Sequence, residues 1–78
     1  MTKFKVLDTV VLERDLPEYG LRGGDLGAVV AVYDPDALDV EFVRASGRTQ
    51  ALVELTIQDV RPIRDEDLVA VRSLERTG

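Results

Sequence analysis

Closely spaced glycines precede an apolar, β-branched run, and this segment constrains the fold more than any other part of the chain. Gly23 and Gly24 are adjacent, and Gly27 follows where the apolar run begins. Glycine adopts positive φ angles at no steric cost, so the adjacent pair predicts a tight turn. Gly27 predicts a β-bulge or a sharp corner. The segment therefore predicts a strand over residues 26–33 in a small β-barrel.

Apolar alternation elsewhere predicts four more short strands. The most regular alternation places Leu38, Val40 and Phe42 on one face and acidic residues on the other. Pro62 cannot donate to a ladder, so its strand should lie at a sheet edge. The predicted strands span residues 8–13, 26–33, 38–42, 49–55 and 60–63, with a capped helical turn at 15–18 that ends at Gly20 and a 3₁₀ turn at 56–59. This pattern predicts an all-β fold, a small five-stranded SH3-like barrel, and the alternative is an OB-like barrel.

The alternation also predicts which apolar residues lie outside the barrel wall. Val30 is expected to face the core together with the apolar residues of the third strand. The apolar residues expected on outward faces are Val29, Ala31, Val43 and Leu52. Apolar residues on both sides of a wall need a cover. Either the C-terminal tail or a second copy would supply that cover, and an isologous dimer is the commonest closure.

The chain divides into a barrel over residues 1–64 and a tail over 65–78. Residues 65–76 have helical spacing, with Leu68, Val71 and Leu74 on one face. Acidic residues begin this segment and basic residues end it, which complements a helix dipole. We therefore predict a short C-terminal helix. A helix of this length is marginal alone in water, so it must dock on its own barrel or on another chain.

Composition excludes most catalytic chemistry. The 78 residues include no Cys and no His. Disulfides, thiolate chemistry, Cys/His zinc sites and imidazole acid–base catalysis are thereby excluded, and the remaining hydroxyls and lysines have no imidazole to activate them. No acidic loop has the EF-hand spacing. We expect no enzyme activity, no cofactor and no metal site.

The charge balance favours a protein partner over nucleic acid. The formal net charge is −5, and the arginines are scattered singly. Nucleic-acid binding depends on clustered cations that neutralise phosphates, whereas an acidic surface attracts a basic partner. The N-terminal segment is too short and polar for a signal peptide, and no apolar run reaches membrane-spanning length. We therefore expect a cytoplasmic protein with no membrane association.

Several short segments taken together resemble a family of small bacterial proteins defined only as a domain of unknown function, the DUF4926 type. The segments that carry the resemblance are Asp8-x-Val10-x-Leu12, Asp15-Leu16-Pro17, Gly24-Asp25-Leu26-Gly27-x-Val29-Val30, Val40-Glu41-Phe42-Val43, Gly47-Arg48-Thr49 and Asp59-Val60-Arg61-Pro62. The resemblance runs from about residue 4 to 63 and implies an SH3-like barrel without an established activity. Its members often look like one half of a two-protein system, which implies an antitoxin, immunity or adaptor role.

The glycine-rich segment at residues 24–30 also resembles a KOW motif, a strand–turn unit of ribosomal and transcription proteins. The basic residues usual in that motif are replaced here by Asp25, Asp34, Asp36 and Asp39. Shared backbone demands of a small barrel account for the similarity, and a fold-level likeness does not transfer function.

Candidate partner-binding residues come from the long first loop and the neighbouring strands. SH3-like barrels bind peptides between that loop and the adjacent hairpin, and interface anchors are enriched in Tyr and Arg. The candidates are Leu16, Tyr19, Arg22, Tyr33, Arg48 and Leu52. The expected function is a non-catalytic protein-binding module of the antitoxin, immunity or adaptor kind. The alternatives are a KOW-like RNA- or ribosome-associated protein and a purely structural homo-oligomer.

Overall fold

A computed structural model describes residues 4–74 of the chain. Its regular elements are β1 (Thr9–Leu12), a 3₁₀ helix (Pro17–Tyr19), β2 (Leu26–Tyr33), β3 (Ala37–Val43), β4 (Thr49–Thr56) and β5 (Val60–Pro62). The predicted all-β class is confirmed, and the bounds of β2 agree with the prediction. Over the described range, no helix is long and apolar enough to span a bilayer.

The strands form one five-stranded sheet in the order β4-β3-β2-β1-β5, with every neighbouring pair antiparallel. β5 lies at an edge, as its proline predicted, because proline cannot donate a ladder hydrogen bond. β4 lies at the other edge. The described pairing therefore shows an open antiparallel sheet, and a closed barrel is not part of it.

Residues from both edges of the sheet nevertheless meet in a single core. Leu12 and Val60, from β1 and β5, belong to the same apolar cluster as Val53 and Leu55 of β4. Among the described residues, no polar or charged side chain is buried. The sheet is thus curved enough for one face to enclose an apolar interior, and burial of that face is the main stabilising contribution.

Gly27 is required by close packing rather than by its backbone angle. Its φ does not lie in the left-handed region. A Cβ at this position would lie 2.5 Å from Cγ1 of Val40 and 2.9 Å from Cε2 of Phe42. β2 therefore approaches the β3 side chains so closely that only a hydrogen fits at residue 27. The register with β1 is regular at Gly27, so the prediction of a β-bulge at this glycine was wrong.

The irregularity in β2 lies farther along the strand, and it reverses the predicted faces. Val29 is opposite Val40, but the next aligned pair is Ala31 and Asp39, so the register shifts at Val30. Val29 is fully buried and Val30 is exposed. The predictions that Val29 faces outward and Val30 inward were both wrong, because one extra residue reverses the side-chain phase.

The outward placement of two other apolar residues is confirmed. Val43 and Leu52 are both exposed on the sheet. Ala31 is half-buried, on the same side of the sheet as its partner Asp39. The alternation pattern therefore predicts side-chain direction correctly where charged residues alternate with apolar ones.

The long first loop is ordered by backbone and carboxylate hydrogen bonds. Its 3₁₀ helix ends at Gly20, which has a φ of 72° as a left-handed cap, in agreement with the prediction. The predicted side-chain cap was wrong, because Leu16 occupies the capping position without such a bond. The Asp15 carboxylate instead accepts the Gly23 N–H at 2.8 Å. Residues 56–59 form a single turn in which the Asp59 N–H donates to the Thr56 carbonyl at 2.9 Å, the hydrogen bond expected of the predicted 3₁₀ turn.

The predicted C-terminal helix is absent from the described residues 65–74, which contain one turn followed by irregular backbone. The remainder of the predicted helix, residues 75 and 76, lies outside the described residues. Leu68 and Val71, which were expected to dock, are 96% and 98% exposed. An isolated helix of this length is not stable in water, and here no packing of these two apolar residues is present to stabilise it.

Replacing Gly27 by Ala should destabilise the domain by about 1–3 kcal/mol, because the added Cβ overlaps the Val40 and Phe42 side chains. The matched control is Gly23→Ala, where the nearest atoms would lie 3.7 Å away and φ is not positive. Urea unfolding of both variants provides the measurement. Equal stability of the two variants would contradict the close-packing explanation.

Replacing Phe42 by Ala should lower the free energy of unfolding by about 3–5 kcal/mol through the cavity that it leaves. Phe42 is 2% exposed and packs in the single core. Leu52→Ala is the control, since an exposed side chain is expected to change stability by less than about 0.5 kcal/mol. Thermal and urea unfolding would rank the two variants, and a mild Phe42→Ala effect would contradict the core assignment.

Candidate functional site

The outward sides of β2, β3 and β4 carry an acidic surface with apolar residues in it. We call it the outer face and define it by Tyr33, Asp39, Glu41, Leu52 and Glu54. Glu41 is opposite Leu52, and Asp39 is opposite Glu54. Directly opposed residues of an antiparallel pair project to the same side of the sheet. Tyr33 is opposite Ala37, two residues before Asp39, so all five side chains share the side that points away from the core.

Two carboxylates of this face are opposed across the ladder, and one of them accepts a hydrogen bond from a tyrosine. Asp39 and Glu54 are directly opposite, and like charges in this position destabilise a sheet. The Tyr33 hydroxyl donates to Oδ2 of Asp39 at 2.9 Å. That hydrogen bond, with the negative charges of Asp39 and Glu54, raises the pKa of Tyr33 above its usual value. The outer face is thus a region of negative potential.

Two of the predicted binding residues lie in this region. Leu52 is 59% exposed and Tyr33 is 48% exposed. Leu52 is beside Glu54 along β4 and opposite Glu41 across the ladder, while Tyr33 is bonded to Asp39. The face therefore presents an aliphatic and an aromatic side chain surrounded by carboxylates.

The other predicted binding residues are distributed differently. Leu16 is 2% exposed and belongs to the core, so its side chain is not available at the surface and the expectation that it binds a partner is corrected. Tyr19 is exposed in the first loop, where its carbonyl accepts a hydrogen bond from Nε2 of Gln50 at 2.9 Å. Arg22 is exposed in the first loop and Arg48 in the β3–β4 turn, both outside the outer face.

A second feature, which the sequence interpretation missed, is the path of residues 65–74. We call this segment the strap. Near the beginning of the strap, the Asp67 carboxylate accepts hydrogen bonds from Nη1 and Nη2 of Arg61, each at 2.9 Å. The same carboxylate accepts the Arg64 N–H at 2.7 Å. The Arg61 hydrogen bonds, assisted by the Arg64 N–H, lower the pKa of Asp67 to about 2.

The other end of the strap is fixed by a second two-pronged ion pair. Nε and Nη2 of Arg72 donate to the two carboxylate oxygens of Asp25 at 2.8 and 2.5 Å. Nη2 also donates to the Gly20 carbonyl at 3.0 Å. Asp25 is held in place by the Arg22 N–H at 2.8 Å. Chiefly because of the Arg72 hydrogen bonds, the pKa of Asp25 lies below its usual value.

Between these two attachments the strap spans a groove of about 770 Å³. Besides strap residues, the groove is lined by apolar side chains that include Val11, Leu26 and Ile63 and by polar ones that include Arg44 and Gln50. Its volume is in the range of ligand-binding clefts. Within residues 4–74 no group of three or more carboxylates is arranged to hold a metal ion. The arrangement is suited to holding an extended chain by charge at two points.

A family model described as a domain of unknown function, DUF4926, matches residues 6–62. The chain belongs to the DUF4926 family. The DUF4926 match contains all five strands, the whole outer face, and both body residues that hold the strap, Asp25 and Arg61. It ends before the strap itself. No curated protein and no solved structure shows significant similarity to the chain.

Lowering the pH should release the beginning of the strap. The folded-state pKa of Asp67 is depressed from 3.8 to about 2, so its stabilising contribution is present above pH 3.8 and disappears as the pH falls through about 2. Carboxyl carbon shifts and the Arg64 amide shift, followed by NMR from pH 5 to 1.5, should report that midpoint. In Asp67→Asn the Arg64 amide should lose this transition. A midpoint near 3.8 in the native chain would contradict the ion pair.

Proposed function

We propose that this DUF4926 protein is a non-catalytic protein-binding module that uses its outer face to bind a basic protein partner. The observation that carries the proposal is the exposure of Leu52 and Tyr33 among the carboxylates of Asp39, Glu41 and Glu54. Apolar contact supplies affinity, and complementary charge supplies orientation and a fast association rate.

The opposed pair Asp39 and Glu54 supports a cationic partner in particular. Two carboxylates facing each other across a ladder reduce the stability of the free protein. A lysine or arginine from a partner, placed between them, would relieve that repulsion. The free energy recovered in this way contributes to binding and is specific for positive charge.

The architecture that we propose for this module is an SH3-like barrel. The strand order β4-β3-β2-β1-β5 and the single core shared by both edges support curvature toward closure. The long first loop between β1 and β2 and the tight β3–β4 turn further support it. In such a barrel, one outer wall remains free for a partner protein.

The proposed biological role is that of the antitoxin, immunity or adaptor half of a two-protein bacterial system in the cytoplasm. The net charge of −5 supports pairing with a basic protein. The absence of Cys and His from the sequence supports a role in binding rather than in catalysis.

Leu52→Lys should abolish capture of the partner in an affinity pull-down from native extract, because it removes the apolar contact and places a positive charge against a basic partner. The matched control is Val6→Lys, an exposed valine of the N-terminal segment outside the outer face. One stoichiometric protein retained at moderate salt by the native chain and by Val6→Lys, but not by Leu52→Lys, is the expected result. RNA that is lost as salt rises would contradict the proposal and favour a KOW-like function.

Glu54→Gln should increase stability while weakening binding. Removing one carboxylate of the opposed pair is expected to raise the free energy of unfolding by about 0.2–1 kcal/mol. The same change should slow association with the captured partner, most clearly at low salt. Urea unfolding and binding kinetics measure the two effects, with Glu18→Gln as the control on the exposed first loop. A loss of stability in Glu54→Gln would contradict the assigned repulsion.

A further inference from the structure

The Asp25 site has the features of a receptor for a guanidinium group. The Asp25 carboxylate accepts hydrogen bonds from both Nε and Nη2 of Arg72, and the Gly20 carbonyl accepts a further one from Nη2. A two-pronged arginine–carboxylate pair is the strong and geometrically selective form of this contact. A lysine in the same place would satisfy only part of this set of acceptors.

The receptor is also prearranged by the body of the domain. The Arg22 N–H fixes one carboxylate oxygen of Asp25 at 2.8 Å. Gly20 has the left-handed conformation that ends the 3₁₀ helix and directs the first loop back toward β2. The Asp25 side chain is only 19% exposed. A site held in this way loses little conformational freedom when an arginine binds.

The receptor and the group that fills it belong to different parts of the chain. Gly20, Asp25 and Arg61 lie inside the DUF4926 match at residues 6–62, whereas Asp67 and Arg72 lie beyond it. The strap contributes charges to the body, but it leaves Leu68 and Val71 almost fully exposed. Its attachment is therefore ionic, at two points five residues apart, above a groove lined by both apolar and polar side chains.

From these observations we infer that the groove beneath the strap binds an extended arginine-bearing peptide of a partner protein, and that the strap occupies this site within the same chain. The partner's arginine takes the place of Arg72 on Asp25 and Gly20. A carboxylate on the same peptide takes the place of Asp67 on Arg61. This site is separate from the outer face, so the inference does not depend on the proposed function.

The test uses the full chain with Arg72→Gln, which vacates the receptor without altering the body. The probe is a fluorescent peptide with the sequence of residues 64–74. Its affinity for the Arg72→Gln chain should be higher by about tenfold or more than its affinity for the native chain, in which the strap competes. Equal or undetectable binding to both chains would overturn the inference.

A matched probe shows whether arginine is the group recognised. The same peptide with Gln at the position corresponding to Arg72 should lose about tenfold or more in affinity for the Arg72→Gln chain. Because this change is in the peptide, folding of the protein does not affect the comparison. Equal affinity of the two peptides would overturn arginine recognition. Addition of Leu52→Lys should leave peptide binding unchanged, which separates this result from the outer-face proposal.

Sedimentation of the native chain shows whether the groove is occupied by the chain's own strap or by the strap of a second copy. A concentration-independent monomer supports occupation of the groove by the chain's own strap. A dimer that becomes monomeric in Arg72→Gln would overturn that arrangement and identify the strap of a second copy as the occupant.

Discussion

The contact between the Gly27 backbone and the side chains of Val40 and Phe42 is the constraint on which the rest of the fold depends. It brings β2 against β3 at the centre of the sheet, where these two β3 residues are fully or almost fully buried. Fixing their inward direction fixes the outward direction of the residues between and beside them. The acidic outer face is therefore a consequence of core packing, since a strand with one buried face must present its other side chains to solvent.

Local patterns predicted the strands well and predicted one of their faces poorly. The bounds of β2 and the edge position of Pro62 follow from residue types that act within a few positions. The side of the sheet on which Val29 lies cannot be predicted in this way, because the run around it is entirely apolar and contains no charged residue that would indicate the solvent side. The register shift at Val30 depends on how β2 pairs with β3, and that pairing leaves no trace in periodicity.

The candidate site was recoverable from sequence only where it lies on strands. Tyr33 and Leu52 were identified because strand phase places them outward, whereas Leu16 lies in a loop whose inward turn the sequence does not encode in a period. The strap was missed for another reason. Arg72 and Asp25 are 47 positions apart, and the charge of Arg72 was interpreted as part of a helix-dipole pattern within residues 65–76. Ion pairs over such a separation depend on the completed fold.

The covalent link between the strap and the body changes the strength of competition at the groove. Only residues 62–66 separate Arg61 from Asp67, so the strap is always present near its own site. A tether of this kind produces an effective concentration on the order of millimolar. A competing peptide must be present above that concentration, or must bind the groove more tightly than the strap does, before it displaces the strap. Weak and abundant arginine-bearing segments are thereby rejected, and the groove opens only to a ligand that binds it much better than the chain binds itself.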